Sequence, residues 1–215
     1  MIFYVTVIIL FVHKSQGGRA MMTQNTTKCL TDDVLHHMNQ AEYGAHYMII
    51  YPDLETLREL YSSYVQKQIE DNNVVLVNPF YETTDSVKHT LSEKYNDGVN
   101  DVSKCEKEGS LIIIDSLEEY FGKEPDMRFK RNLAYHAKKI GKNGLSILGD
   151  MGAYHHKSNH EELVDYELSL PTKYEDGITL KGFCLYHKND FDRLSEEQKQ
   201  KLIEHHGKAL KIINS

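Results

Sequence analysis

The stretch GSLIIIDSLEEYF, residues 109–121, carries the clearest chemical pattern in the chain. An apolar run, Leu111 to Ile114, ends in Asp115 and Ser116, which is how the magnesium-holding strand of a nucleotide hydrolase reads. The partner of such a strand is a G-x-x-x-x-G-K-[ST] loop after the first strand, whose backbone N–H groups wrap the phosphates while its lysine neutralises them. Here the first strand is followed by YPDLETL, residues 51–57, with no glycine, no lysine and two carboxylates, Asp53 and Glu55. The Gly-Lys pairs beginning at 122, 141 and 207 lack the upstream glycine and the following hydroxyl residue. The sequence thus has a strand suited to magnesium and lacks the loop suited to nucleotide.

Other chemistries are weaker. There is no G-x-S-x-G elbow, and no base can be assigned to Ser116, so the chain does not read as an enzyme. His155, His156 and His160 are the densest histidine group; adjacent residues diverge by about 100° on a helix, so these read as solvated loop histidines. His205 and His206 end a helical pattern, where a histidine favours the dipole. No spacing completes a metal site, and neither metal nor cofactor is expected. Asp115 either holds a cation or caps the helix that follows it, and Asp150 either faces a ligand or serves a turn. Arg128, Lys130, Arg131, Lys138, Lys139 and Lys142 make one basic helix, read as a solvated face or an acidic partner's dock.

Composition bounds the rest. With 215 residues, 40% hydrophobic and 27% charged, the chain suits one soluble domain. A net charge of −7 argues against non-specific nucleic-acid binding. Cys29, Cys105 and Cys184 are far apart and without C-x-x-C spacing, which suits reduced thiols in a cytoplasm. Residues 2–12 are apolar but shorter than the roughly 20 a membrane span needs. Residues 1–21 are read as an extension, either an over-long start or a signal or anchor, and 22–44 as a polar lead-in with a short helix.

From His46 onward strands and helices alternate. HYMIIY (46–51), VVLVN (74–78), LIIID (111–115), LSILGDM (145–151), TLKGFCLYH (179–187) and KALKII (208–213) read as strands. Helices are expected from Leu54 behind an Asp53 N-cap, over 83–95, over 127–140 with Phe129, Leu133, Ala137 and Ile140 on one face, and behind capping boxes at Ser158/Glu161 and Ser195/Gln198. Continuous apolar strands separated by helices indicate an α/β fold with a mostly parallel sheet buried on both faces. Ligands of such sheets bind beyond the strands' carboxyl ends, which makes Tyr51, Asn78, Asp115, Asp150, Met151 and His187 the candidate rim.

Four stretches in order also resemble one family. HYMIIYPDLETLRELYSSYVQKQIEDNNVVLVN, GSLIIIDSLEEYF, GLSILGDMGAYHHKSNHEELVDYELSLP and GFCLYHKNDFDRLSEEQKQKLIEHHGKALKI are similar to the MEDS domain, the methanogen/methylotroph DcmR sensory domain, over about 45–212. The resemblance implies a RecA/KaiC-like core without its phosphate loop, sensing an unidentified small molecule in signal transduction or transcriptional regulation. It also adds Glu167, on the Glu-bearing helix, to the ligand-binding candidates. His187 stands where an acidic residue is frequent in the family, and no DNA-binding or kinase segment accompanies the domain. A signalling partner or a homo-oligomer is the implied output, with no direct nucleic-acid contact. Two other readings stand beside it: a KaiC-like regulatory paralogue that binds nucleotide or an ATPase homologue without hydrolysis, and a hydrolase or metal enzyme using the histidines.

Overall fold

The computed structural model describes residues 26–94, 101–122, 127–174 and 177–213. The apolar 1–21 extension lies outside the described residues. In chain order the elements are β1 Thr27–Cys29, α1 Thr31–Asn39, β2 His46–Tyr51, α2 Leu54–Glu70, β3 Val74–Asn78, α3 Thr84–Lys94, α4 Val102–Lys107, β4 Leu111–Ile113, α5 Ser116–Phe121, α6 Met127–Lys139, β5 Leu145–Asp150, α7 Gly152–His156, α8 His160–Ser169, β6 Leu180–His187, α9 Lys188–Phe191, α10 Glu196–His205 and β7 Lys208–Ile212. The strands form one seven-stranded sheet in the order β1-β7-β2-β6-β5-β3-β4, and every neighbouring pair is parallel.

Burial explains the parallel arrangement. All five residues of β3 and all six of β5 are buried, so neither strand has a face that water could cover. One face packs Ile49, Val75, Val77, Leu148, Phe183 and Leu185 against helices α1 to α4, through residues such as Met38, Leu60, Tyr64, Leu91 and Cys105. The other face packs Met48, Ile50 and Tyr186 against Ala153, Leu163 and Leu202 of α7, α8 and α10. Beside them, Leu76, Leu145 and Ile147 meet Ala134 and Ala137 of α6. Each fully buried large apolar side chain contributes about 1.5–3 kcal/mol.

Local signals set the helix starts. The Asp53 carboxylate accepts from Thr56 N at 2.9 Å, and Ser195 and Gln198 complete a reciprocal box. The second expected box is corrected: Ser158 has φ +53°, and Asn159 caps α8 by accepting from Glu162 N at 3.3 Å. The third strand stops at Ile113, two residues short of expectation, because Asp115 turns to cap α5. The lead-in contains a strand that the sequence pattern did not reveal. β1 is only three residues long and pairs with β7 at the sheet edge, Cys29 opposite Ile212. Short, polar edge strands carry no alternation to read.

The chain lays β1 to β4 down with helices on one face, then returns from the β4 edge with α5 to α10 on the other. The returning strands β5, β6 and β7 insert between the earlier ones, so the carboxyl ends of β2, β6, β5 and β3 converge from separate parts of the sequence.

Candidate functional site

At the carboxyl ends, Tyr51 and Asp150 meet across the intervening β6. The Tyr51 hydroxyl donates to Asp150 Oδ2 at 2.9 Å, and Gly152 N donates to Oδ1 at 2.8 Å. Both side chains are buried. Burial pushes the Asp150 carboxyl up to about 7, against the two donors that would hold it down. Burial and the facing Asp150 carboxylate raise the Tyr51 phenol, so it remains a donor.

Beside this pair lies a cavity of about 20 Å³ bounded by Asn78, Phe80, Tyr81, Leu148, Asp150 and Leu185. That is room for a water molecule or little more. Asn78 Nδ2 donates to the Ile114 carbonyl at 3.3 Å, while its buried Oδ1 has no partner. The segment 79–82 covers the cavity and is tied down by its neighbours. Glu82 accepts from Arg58 Nε at 2.9 Å and from the Tyr61 hydroxyl at 3.2 Å, Tyr81 donates to Asp190, and the Pro79 carbonyl accepts from Ser116 N at 3.0 Å. Gly152 allows the close fit, since a Cβ there would run into the rings of Phe80 and Tyr81. His187 closes the rim, its ring 5.4 Å from Tyr51 and 5.2 Å from Tyr81.

Of the seven candidate ligand-binding residues, Tyr51, Asn78, Asp150 and His187 thus come together, and three do not. Asp115 caps α5, accepting from Leu117 N at 2.9 Å and Glu118 N at 3.4 Å. Its strand lies four positions from β2, about 19 Å at the usual strand spacing, so it cannot serve a loop after β2. Met151 is buried in the core on the opposite face. Glu167 belongs to a different cluster altogether.

That cluster lies between the sheet and helices α8 and α10, toward the strands' amino ends. Glu167 is completely buried, with its Oε1 accepting from the Tyr186 hydroxyl at 2.8 Å. Around its Oε2 stand His206 Nε2 at 3.4 Å, Cys184 Sγ at 3.5 Å and His46 Nε2 at 3.7 Å. His46 Nε2 is also 3.3 Å from Cys184 Sγ. The other nitrogens of both rings face backbone carbonyls, His46 Nδ1 at 3.0 Å from Pro171 O and His206 Nδ1 at 2.7 Å from Leu202 O. Burial holds His46 down to about 4, leaving its ring neutral, and burial with Glu167 nearby pushes the Cys184 thiol up. Burial would raise Glu167 as well, but His206 and the Tyr186 hydroxyl outweigh it and hold the carboxyl at about 2. Among the described residues this is the group of ligand-type side chains that converges on one point.

The sequence reading missed His46, Cys184 and His206 as a group because 138 residues separate His46 from Cys184. Only the Cys-x-Tyr strand and the histidine after α10 marked the region. His206 was expected to cap α10, and its Nδ1 does, yet its other nitrogen points into the cluster. The solvated histidine group is corrected in part. His156 is exposed, but His155 is buried with Nδ1 3.2 Å from His160 Nε2. On the basic helix, Arg128, Arg131, Lys138 and Lys139 are exposed, whereas Lys130 is buried with its ammonium 2.7 Å from the Tyr166 hydroxyl and 3.6 Å from Glu119. The three cysteines are free and buried. No helix among the described residues is long and apolar enough to cross a membrane.

No curated protein matches the chain. The family model for the MEDS domain, the methanogen/methylotroph DcmR sensory domain, matches residues 45–207, from the start of β2 to the residue before β7. Most of the chain is covered by that match, and the protein belongs to the MEDS family of sensory domains.

Proposed function

We propose that the chain is a non-catalytic sensor in cytoplasmic signalling. It binds a small molecule where β2, β6, β5 and β3 end and passes the change to a protein partner or a second copy. The observation that carries this reading is the buried, unpartnered Asn78 Oδ1 beside the Asp150–Tyr51 pair at the cavity wall. A buried acceptor without a donor costs about 1–3 kcal/mol, and a ligand hydroxyl or amide N–H would remove that cost. A molecule of more than one or two heavy atoms requires the 79–82 segment to swing outward. That motion breaks the Tyr81–Asp190 and Arg58–Glu82 links and so reports occupancy to α2 and α9.

The same geometry disfavours the nucleotide-binding alternative. The N-terminus of α2, where a phosphate would sit, is taken by the Asp53 carboxylate. The test is thermal unfolding of the chain with small alcohols and amides and, separately, with magnesium ATP. A ligand at a hundred times its dissociation constant stabilises by about 2.7 kcal/mol, a rise of roughly 5–10 °C for a chain of this size. The expected result is such a rise with a small hydroxyl or amide compound, abolished in Asn78→Leu, and none with magnesium ATP. The reverse result would establish a nucleotide-binding regulator instead.

A further inference from the structure

We propose that His46, Glu167, Cys184 and His206 are the four ligands of a buried, closed site for a divalent transition-metal cation, zinc fitting the donor set best. The geometry is the first argument. Tetrahedral zinc with bonds of about 2.0–2.3 Å separates its ligand atoms by about 3.3–3.8 Å. Four of the six separations here are 3.3, 3.4, 3.5 and 3.7 Å, and all four ligand atoms lie within 4.8 Å of one another.

Orientation is the second argument. Each histidine turns Nδ1 to a backbone carbonyl, which fixes the proton on Nδ1 and leaves the Nε2 lone pair facing the centre. Both Nε2 atoms face the Glu167 carboxylate, at 3.4 Å from His206 and 3.7 Å from His46, and a cation at the centre would be bound by all three at once. Tyr186 holds the second oxygen of Glu167, the outer contact that ligating carboxylates ordinarily have.

Charge is the third. On binding, the Cys184 S–H bond breaks, its proton passes to solvent and a metal–sulfur bond forms. The resulting thiolate and the Glu167 carboxylate carry two negative charges against the cation's two positive ones. The buried site is therefore neutral overall, which the cost of burying net charge requires. With four protein ligands and none of their side chains exposed, there is no open position for a substrate, and the role is structural. The ion would clamp α8 and the end of α10 onto β2 and β6.

The test is elemental analysis of the purified full-length chain, followed by removal of metal with a chelator and titration with zinc and then cobalt(II) ions. The expected result is one equivalent of zinc per chain. Cobalt should give the visible absorption of a tetrahedral ion together with a sulfur-to-cobalt charge-transfer band. Cys184→Ser loses that band and His206→Asn loses stoichiometric binding, while His155→Asn, in the other histidine pair, changes neither. If the variants fail to fold, alkylation of the wild-type chain mapped by mass spectrometry replaces them, with zinc slowing modification of Cys184 relative to Cys29 and Cys105. A folded wild-type chain that takes up neither ion, or one whose uptake leaves Cys184 equally reactive, overturns the proposal.

Discussion

The Tyr51–Asp150 pair and the His46–Glu167–Cys184–His206 group lie against opposite faces and toward opposite ends of the same sheet. Both are buried, and both gather residues from distant parts of the chain. They differ in what encloses them. The quartet is held between two helices and two central strands, so nothing there can move without unpacking the core. The pair is covered only by a short segment, 79–82, fastened by five polar contacts. A fixed polar cluster suits stability, whereas a fastened cover beside a small cavity suits sensing. Burial alone distinguishes neither role, because Asp150 and Glu167 are about equally inaccessible.

Substitutions at the two places should separate these roles. The largest effect is expected for Glu167→Ala, which strips the anion from buried His46, His206 and Tyr186. Removing one member of a buried charged cluster costs about 3–5 kcal/mol, read as a drop in the denaturant midpoint. At the other site, Asp150→Asn should act on the pH profile. The folded Asp150 carboxyl is raised from its ordinary 3.8 to about 7, so the folded state holds this proton more tightly than the unfolded chain. Its contribution to stability is complete below about pH 3.8 and is lost as pH rises to 7, by about 1.4 kcal/mol per pH unit. Denaturant melts at pH 4, 5.5 and 7 should show Asp150→Asn flattening that decline; an unchanged slope would refute the assignment. Tyr51→Phe removes one neutral donor and should cost about 0.5–1.5 kcal/mol, and by weakening the ionised form of Asp150 it should extend the same decline to higher pH. The smallest effect is expected for Arg58→Ala. This guanidinium is 44% exposed, so its loss should cost less than about 1 kcal/mol while loosening the 79–82 segment, visible as faster proteolysis there.

The fold was largely legible in the sequence, and the sites were legible only in part, for physical reasons visible at individual residues. VVLVN and LSILGD announce buried parallel strands because two covered faces demand unbroken apolar runs. Asp53 and Ser195 announce helix starts because a cap is a local event completed within three residues. The meeting of Tyr51, Asn78, Asp150 and His187 followed from one rule, that the strands of a parallel sheet all end on the same edge. Asp115 satisfied the same rule and was displaced by strand order, since its strand lies at the far edge of the sheet. The quartet obeys no sequence spacing at all. Its members occupy a strand start, a helix, mid-strand and a helix end, and their meeting is a consequence of how β6 and α10 return across the sheet.

The most direct test of this division is native-state amide hydrogen exchange on the full-length chain. The Ser116 amide is buried and donates to the Pro79 carbonyl beneath the cover, so it reports opening of 79–82. The Cys184 amide, in the middle of β6, reports the clamped region. Local opening should let Ser116 exchange well before the chain unfolds, while Cys184 exchanges only with global unfolding. Equal protection at the two amides, both tracking global unfolding, would contradict a cover built to move over a core built to stay.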